Sequence, residues 1–324
     1  MKYFSLHNKE NTASFKEAVI NGIAPDKGLY FPFEIPKLDK DFMDNFSTLS
    51  RNDLAFELIK PFVGNDIPAH KLQQIIAETL SFDFPLIELE NNNYILELFH
   101  GPTLAFKDVG ARFMARCLGY FNEGNKEKVC VLVATSGDTG GAVADGFYGV
   151  EGVDVVILYP KGRVSAIQEK QLTTFGGNIQ AVEVNGSFDD CQAMVKTAFL
   201  DKEITSKLKL TSANSINVAR WLPQMFYYAF ALQELIKQGK KQFVFSVPSG
   251  NFGNICAAFM LKKMGLSIKH LIAACNANDV IPQYMKTGIL EEKVSVSTIS
   301  NAMDVALPSN FVRIMELYNG NLDY

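Results

Sequence analysis

The sequence predicts an α/β protein in which a parallel sheet is covered on both faces by helices. From about residue 94 onward, short and continuous apolar runs alternate with segments of helical periodicity. Such runs are typical of strands that are buried on both faces, and their alternation with helices is typical of a parallel sheet. Residues 1 to about 80 are dominated by helical spacing, which predicts a small and mostly helical amino-terminal domain.

Three helices are predicted in the amino-terminal domain. Ser14 is placed to cap a helix over residues 14–20 and Asn52 to cap one over 53–63, ahead of a third over 70–80. From about residue 94 the pattern changes, and strands are predicted over residues 94–99, 129–134, 153–159, 179–184, 243–247 and 270–275. Helices are predicted over 106–121, 139–148, 165–175, 188–200, 216–237 and 252–264.

The composition excludes several classes of protein. The 324 residues carry a net charge of −4, with 48% hydrophobic and 20% charged residues, which is typical of a globular chain. The slightly acidic balance gives no electrostatic basis for binding nucleic acid or an anionic membrane, and no apolar run approaches the roughly 20 residues of a membrane span. The five cysteines occur singly and the four histidines are scattered, which predicts reduced thiols, no dedicated metal site and a cytoplasmic location.

Ligands of parallel sheets collect where strands end and helices begin, so three such loops are candidates for chemistry. The first, PSGNFGN over residues 248–254, has glycines that allow several N–H groups and a helix dipole to converge on one anion. Its spacing matches neither a dinucleotide loop nor a nucleoside-triphosphate loop, so a phosphate monoester suits it better. An ordinary turn that requires glycine explains this loop alone equally well.

The second loop, ATSGDTGG over residues 134–141, offers hydroxyl and N–H groups that suit a carboxylate, although a capped helix start also explains it. The third, HGPTLAFKD over residues 100–108, places Lys107 beside Phe106 at a helix start. Apolar surroundings and a positive dipole favour a nucleophilic amine there, whereas a lone lysine is usually solvated. Together, an amine, a monophosphate cradle and a carboxylate loop are what a pyridoxal-phosphate enzyme acting on amino acids needs.

These motifs resemble those of the threonine synthase family, within the tryptophan-synthase-β-like pyridoxal-phosphate enzymes of fold type II. The resemblance is carried by HGPTLAFKD (100–108), ATSGDTGGAVADGF (134–147), NSINVAR (214–220), PSGNFGNICAA (248–258), SNAMDV (300–305) and GLYFP (28–32). It covers essentially the whole chain. It implies a catalytic, cofactor-binding domain over residues 86–324 with two parallel-sheet subdomains flanked by helices, and a small, mostly helical cap domain over residues 1–85.

The resemblance also implies pyridoxal 5'-phosphate as the cofactor and Lys107 as the catalytic residue that forms the Schiff base. Asp138 is implied beside the ring 3-hydroxyl, and the cofactor phosphate is implied at Gly250, Asn251, Phe252, Gly253 and Asn254. The implied reaction converts O-phospho-L-homoserine and water to L-threonine and phosphate. Candidate substrate-binding residues are Thr135, Ser136, Thr139, Lys161, Arg163, Ser165, Asn214, Ser215, Asn217 and Arg220. Ser136 and Thr139 are candidates for the carboxylate, and Lys161, Arg163, Asn214, Ser215, Asn217 and Arg220 for the phosphate.

Two alternatives stay open at this point. One is a sibling enzyme of the same cofactor class, such as a serine/threonine dehydratase or a cysteine synthase, whose substrates need no second anion site. The other is an inactive, carboxyl-terminally truncated form or a non-catalytic protein that binds a phosphate ligand. Family members continue beyond the point where this sequence stops, and the hydroxyl that faces the pyridine nitrogen has no match here. A monomer or a homodimer is expected.

Overall fold

The structure, a computed structural model, describes residues 1–320. It divides into two compact units, each assembled from two separate segments of the chain. The first unit contains Met1–Phe33 and Ser50–Pro223, and the second contains Glu34–Leu49 and the chain from Gln224 onward. The domain boundary near residue 85 lies inside the first unit and stays a prediction.

The strands and helices follow one another along both units. The strands are β1 (Lys2–Ser5), β2 (Thr12–Ser14), β3 (Tyr30–Pro32), β4 (Leu86–Glu88), β5 (Tyr94–Leu96), β6 (Val129–Ala134), β7 (Val153–Pro160), β8 (Ile179–Val184), β9 (Lys209–Ser212), β10 (Val244–Pro248) and β11 (His270–Ala274). The helices are α1 (Phe15–Asn21), α2 (Lys40–Asn45), α3 (Arg51–Val63), α4 (Ala69–Thr79), α5 (Lys107–Asn122), α6 (Asp138–Phe147), α7 (Ala166–Thr173), α8 (Phe188–Leu200), α9 (Lys202–Thr205), α10 (Val218–Trp221), α11 (Met225–Lys237), α12 (Gly253–Met264), α13 (Val280–Thr287) and α14 (Phe311–Leu317).

A four-stranded parallel sheet forms the centre of the first unit, with the strand order β8-β7-β6-β9. Every residue of β6 is buried, because helices cover both faces of the sheet. Leu132 packs on the side of α8 with Cys191 and Val195, and α5 and α6 also pack against β7. Val131 and Val133 alternate with Leu132 and are fully buried on the opposite face. The predicted α/β fold class is confirmed.

The amino-terminal residues are less helical than predicted. Ser14 caps α1 as expected: its Oγ accepts the N–H of Glu17, and the Glu17 side chain accepts the N–H of Ser14. A three-stranded antiparallel sheet, in the order β2-β1-β3, also lies within the first 32 residues, and its strands of three or four residues are too short to give a periodic signal. The prediction of Asn52 as a cap is wrong, because α3 begins at Arg51 and the Ser50 side chain accepts the N–H of Asp53.

Two other predictions are corrected by the structure, and one strand was missed. The strand predicted over residues 94–99 is the shorter β5, which pairs antiparallel with β4 instead of joining the parallel sheet. The helix predicted over residues 216–237 is divided into α10 and α11 by a 3-10 turn at Leu222–Gln224. Pro223 lies in that turn, where its missing N–H and its ring interrupt a continuous α-helix. The short strand β9 was not predicted, although it pairs in parallel with β6.

The second unit contains the parallel pair β10 and β11, with Val244 opposite His270. Helix α12 packs against α11, α14 and β11. Gln233 of α11 attaches the segment 34–49, since its Nε2 donates to the carbonyl oxygens of Phe46 at 2.7 Å and Leu49 at 2.9 Å. The chain passes from the end of β10 through a tight turn into α12.

The thiols in the described residues are free, and Cys117, Cys130, Cys191 and Cys256 are buried. Burial raises the pKa of Cys256 to about 12, so this side chain is a neutral thiol at ordinary pH. It therefore packs as a small core residue. Within residues 1–320, the helices are all too short or too polar to cross a bilayer.

Gly110 is expected to be a sensitive position in the core of the first unit. A Cβ atom there would lie 2.3 Å from the backbone oxygen of Arg220, which belongs to the adjoining helix α10. Gly110→Ala is therefore expected to destabilise the protein by about 2 kcal/mol, since neither backbone can yield easily. Denaturant unfolding measures the change in the free energy of unfolding.

The matched control is Gly119→Ala in the same helix. A Cβ at Gly119 meets only the Val150 side chain, at 3.0 Å, and alanine favours the helix by up to about 1 kcal/mol. This variant is expected to be neutral or more stable. Equal stabilities for the two variants would show that the contact between α5 and α10 is not as close as described.

Candidate active site

Lys107 is the first residue of α5 and follows a loop that is folded tightly against the helix start. In this loop Leu104 adopts a left-handed backbone with φ of 60°, and the N–H of Asp108 donates to the carbonyl of Ala105 at 3.0 Å. The Lys107 side chain is 18% exposed, and its Nζ lies 5.7 Å from the centroid of the Phe106 ring. The amine is thus largely withdrawn from solvent, beside an aromatic face.

Two side chains at the start of α6 hold this amine. Lys107 Nζ lies 2.8 Å from Asp138 Oδ2 and donates to Thr139 Oγ1 at 2.8 Å. The other carboxylate oxygen of Asp138 accepts the backbone N–H of Thr139, also at 2.8 Å, which orients the carboxylate. Because α5 and α6 pack side by side, residues from two separate sequence motifs form one hydrogen-bonded cluster. We call Lys107, Asp138 and Thr139 the lysine cluster.

Asp108, next to the candidate Lys107, was not predicted to have a part in shaping this loop. Its fully buried carboxylate accepts the backbone N–H of Thr103 at 3.0 Å and the Thr103 hydroxyl, which ties the loop to the helix start. Burial raises the pKa of Asp108, and the bonds from Thr103 oppose that effect. The available signal was an acidic residue directly after the lysine, but acidic residues are common in first helical turns for electrostatic reasons alone.

Thr135 and Ser136 differ in what their hydroxyls can do. Thr135 is buried, and its Oγ1 accepts the backbone N–H groups of Gly137 at 3.0 Å and Gly140 at 2.8 Å. It therefore shapes the loop from the inside. Ser136 is half-buried, and its hydroxyl makes no hydrogen bond with any residue that the structure describes. Of these two candidates, Ser136 has the hydroxyl that a ligand can still use.

Asn217 is fully buried and is used inside the protein. Its Nδ2 donates to the carbonyl of Val19 at 2.9 Å and that of Ser212 at 3.2 Å, and its Oδ1 accepts the N–H of Ala219 at 3.0 Å. These bonds link α1, β9 and the start of α10. The amide donors are thus already engaged, and a ligand contact for Asn217 stays a prediction.

Arg220 is also buried, at 2% exposure, and it belongs to the electrostatic surroundings of the lysine cluster. Burial lowers its pKa to about 10, while the charges of Asp138 and Asp108 act in the opposite direction. The guanidinium stays charged at neutral pH and contributes a positive charge next to two carboxylates. A direct contact between Arg220 and a substrate phosphate stays a prediction.

The loop that follows β7 carries three further candidates. Lys161 is exposed, and its Nζ lies 3.3 Å from Glu183 Oε2. Arg163 is exposed and forms no ion pair with another described residue. Ser165 caps α7, since its Oγ accepts the N–H of Gln168 at 3.3 Å. Arg163 is therefore the candidate in this loop whose polar group is available for an anion.

The loop that follows β9 carries the last two candidates. Asn214 Nδ2 donates to the carbonyl of Ala134 at 3.3 Å, and Ser215 is half-buried. Strands β6, β7 and β9 are parallel, so the loops that follow them lie at one edge of the sheet. That edge is where ligands bind in open parallel sheets. The structure thus places all substrate candidates at one edge of the first unit or buried next to it.

The candidate phosphate-binding turn lies in the second unit, between β10 and α12. Phe252 has a left-handed backbone with φ of 59° and ψ of 9°, directly before the first residue of α12. In the described part of the chain, the backbone N–H groups of Phe252, Gly253 and Asn254 have no hydrogen-bond acceptor. A left-handed residue before a helix directs successive N–H groups toward one point, an arrangement that binds anions.

The donor groups present fit pyridoxal phosphate. An amine suits the aldehyde of the cofactor, and N–H groups without protein acceptors suit its phosphate. Asn254 Nδ2 donates to the carbonyl of Pro248 at 2.8 Å, so this side chain closes the turn. No group of His, Cys, Asp and Glu side chains that could hold a metal ion is found within residues 1–320.

Two family models together match the chain from end to end. Residues 2–80 match the model described as the threonine synthase N terminus. Residues 81–324 match the model of pyridoxal-phosphate dependent enzymes. The second match covers more than half of the chain, so the class of cofactor that the motifs predicted is confirmed.

Individual relatives agree with the family models. Threonine synthase of Haemophilus influenzae is 44% identical over 321 residues, which are 99% of this chain and 75% of that protein. The crystal structure of threonine synthase from Escherichia coli superimposes with a TM-score of 0.93 and 43% identity, over 98% of this chain and 74% of that one. The pyridoxal-phosphate-bound threonine synthase of Brucella melitensis gives a TM-score of 0.91 and 38% identity, over 99% of this chain and 70% of that one.

The resemblance inferred from the motifs is confirmed by these comparisons, which span nearly the whole chain at high identity. The motif residues at Lys107 and in the turn 250–254 supply the donor groups that such a cofactor requires. The chain therefore belongs to the threonine synthase family of pyridoxal-phosphate-dependent enzymes.

Proposed function

We propose that this chain converts O-phospho-L-homoserine and water to L-threonine and phosphate. The observation that carries the proposal is the lysine cluster, in which one amine is held 2.8 Å from a carboxylate and 2.8 Å from a hydroxyl at a helix start. A relative 44% identical to this chain is a threonine synthase, which supports the same reaction here. We also propose that the protein is cytoplasmic and that it is a monomer or a homodimer. Analytical sedimentation distinguishes the monomer from the homodimer.

Lys107 is the residue that attaches the cofactor and then moves protons. Pyridoxal phosphate, when bound, supplies an electron sink that stabilises negative charge on the carbon atoms of a bound amino acid. Lys107 Nζ takes a proton from Cα and then one from Cβ, and the phosphate leaves as its bond to Cγ breaks. Lys107 Nζ returns these two protons to Cγ and Cα, and water adds its hydroxyl to Cβ and gives its remaining proton to the released phosphate.

Asp138 and Thr139 keep Lys107 Nζ at one position, so that the amine is aligned before a ligand arrives. Ser136, whose hydroxyl has no described partner, binds the substrate carboxylate together with N–H groups at the start of α6. The residues from Gly250 to Asn254 bind the cofactor phosphate, mainly through backbone N–H groups.

The substrate carries a phosphate of its own, so a second anion site is required. Arg163 is the best candidate, because its guanidinium is exposed at the edge of the sheet where β7 ends. Guanidinium can meet a phosphate with two parallel hydrogen bonds. Lys161 adds charge nearby, although it is shared with Glu183.

The decisive test measures release of inorganic phosphate and formation of threonine from O-phosphohomoserine by the protein with cofactor added. Equal yields of both products are expected. Turnover of serine or threonine alone would favour a dehydratase or cysteine synthase. A protein that stays colourless with pyridoxal phosphate, and that borohydride does not label at Lys107, would favour a non-catalytic role.

Arg163→Ala tests the second anion site. We expect KM for O-phosphohomoserine to rise by about tenfold with kcat changed little, since the lost contact is present in substrate and transition state alike. Arg51→Ala is the matched control, because Arg51 is also exposed and pairs with Asp83 at 3.0 Å in a part of the fold without site candidates. An unchanged KM in the Arg163 variant would remove this residue from the site.

A further inference from the structure

The candidate phosphate-binding turn is hydrogen-bonded to the segment that leads into α14. The Asn251 side chain Oδ1 accepts the backbone N–H of Ser309 at 2.6 Å. The Asn251 carbonyl accepts both the backbone N–H of Asn310 at 3.3 Å and its side-chain Nδ2 at 3.0 Å. The Asn251 carbonyl and its side-chain oxygen are therefore both hydrogen-bonded to the segment that precedes α14.

Asn310 is itself oriented by a buried charge. Asn310 and Arg313 are both 0% exposed, and Arg313 Nη1 donates to Asn310 Oδ1. A guanidinium carries donors only, so the amide must present its oxygen to Arg313. The amide nitrogen is then necessarily on the side of the Asn251 carbonyl. Arg313 thus selects the one orientation of Asn310 that can donate to the turn.

The orientation of one peptide group follows from these bonds. The peptide bond between Asn251 and Phe252 is trans, as are the others in the described residues, so its C=O and N–H point in opposite directions. Because Asn310 pulls the carbonyl toward α14, the N–H of Phe252 points away from α14. Phe252 then adopts its left-handed backbone, which brings the next N–H groups toward the same side.

We propose that Asn310, set by Arg313, is a positioning residue that aims the N–H groups of the turn at the phosphate of the cofactor. The proposal rests on the assignment of this turn to the cofactor phosphate made above. It goes beyond the motif itself, because Asn310 lies 59 residues from Asn251 in the chain and acts through the carbonyl of that residue. Its effect is on the direction of the Asn251–Phe252 peptide.

The test replaces the side-chain amide donor of Asn310 by a side chain of nearly the same shape. In Asn310→Asp, one carboxylate oxygen still accepts from Arg313, while the other faces the Asn251 carbonyl and repels it. The variant is expected to fold, because the new carboxylate pairs with the buried guanidinium. Asn310→Ala removes the same donor without adding charge or a new donor, and it provides the result if Asn310→Asp is not stable. Asn45→Asp, at an exposed position of α2, is the matched control.

The affinity of each apoprotein is measured by absorbance titration with pyridoxal phosphate and, separately, with pyridoxal, which lacks the phosphate. Loss of one buried donor predicts that the Kd for pyridoxal phosphate rises by about tenfold or more in both Asn310 variants. The Kd for pyridoxal is expected to stay within about threefold, because the ring and the aldehyde do not use the turn.

An equal rise in the Kd for pyridoxal phosphate and the Kd for pyridoxal would overturn the proposal, since it would show that Asn310 has only a general structural role. An unchanged Kd for pyridoxal phosphate would overturn it as well. A wild-type protein that binds no pyridoxal phosphate would contradict the proposed function together with this inference. If the wild-type protein binds pyridoxal phosphate and the Asn310 variants bind it equally well, the inference alone is contradicted.

Discussion

Replacing Lys107 by alanine is expected to reduce turnover of O-phosphohomoserine by at least about a thousandfold, the scale seen when an essential catalytic group is removed. The amine has two proposed tasks, attachment of the cofactor and movement of protons at Cα and Cβ, and an alanine side chain performs neither. Asp138 and Thr139, the groups bound to Nζ in the structure, are not amines and cannot take over. Phosphate release under saturating cofactor measures the effect.

The variant separates attachment of the cofactor from its binding. Because the turn at residues 250–254 is unchanged in Lys107→Ala, weak binding of pyridoxal phosphate should persist. Borohydride should then leave no cofactor attached at position 107, as shown by the mass of the corresponding peptide. Wild-type turnover in this variant would remove Lys107 from its role.

Two controls exclude a simple loss of folding. Lys107→Ala leaves the Asp138 carboxylate, which is 14% exposed, without its cation, so some loss of stability is expected. Lys107→Arg keeps a positive charge there and should restore stability without restoring turnover, since a guanidinium is not a nucleophile at neutral pH. Lys128→Ala removes an exposed lysine that pairs with Asp154 at 2.9 Å, and it should behave as wild type.

The sequence predicted the parallel core because its strands are continuous apolar runs. The six residues of β6 are the clearest case, since a strand that is buried on both faces has no polar positions to interrupt its apolar run. The strands β1, β2 and β3 escaped prediction because three or four residues do not establish a period. The break at Leu222–Gln224 was missed because the apolar spacing continues across it, even though Pro223 marked the position.

The motifs identified residues, but they did not show what each side chain contacts. Thr135 and Thr139 are four residues apart in one motif, yet one hydroxyl accepts from buried backbone N–H groups and the other from Lys107. Asn217 looked like a neutral phosphate donor, and its amide instead links α1, β9 and α10. Such assignments depend on distances between segments far apart in sequence, which no local pattern encodes.

The same limit applies to Asn310. It lies 59 residues from Asn251 in the chain, and its bond to the carbonyl of that residue is visible only in the fold. Asparagine before a helix would ordinarily be explained as a cap, although its side chain makes no capping bond in α14. Residues that act on a site through a second residue leave little trace in a single sequence.

Gly250→Ala is expected to weaken cofactor binding strongly, because the turn has no space for a side chain at this position. A Cβ there would lie 2.7 Å from the Cα of Met303 and 3.0 Å from its carbonyl oxygen, both of which are backbone atoms. The loop that carries Met303 cannot yield easily. Its neighbour Asp304 accepts the backbone N–H of Thr298 at 2.9 Å and the side-chain amide of Asn276 at 2.8 Å.

The turn must therefore move in Gly250→Ala, and its N–H groups lose their common direction. We expect the forced contact to lower the free energy of unfolding by about 1–3 kcal/mol. The Kd for pyridoxal phosphate should rise by about tenfold or more, whereas the Kd for pyridoxal should change little. Gly119→Ala, the same change in a helix where the new Cβ meets only the Val150 side chain, is the control for both measurements. Asp304→Asn should loosen the loop that carries Met303. The double variant Gly250→Ala, Asp304→Asn should then recover part of the affinity for pyridoxal phosphate, because the Met303 backbone can shift away from the new methyl group. Undiminished cofactor affinity in the single variant would mean that the turn tolerates displacement, and the phosphate would then have to be bound by other groups.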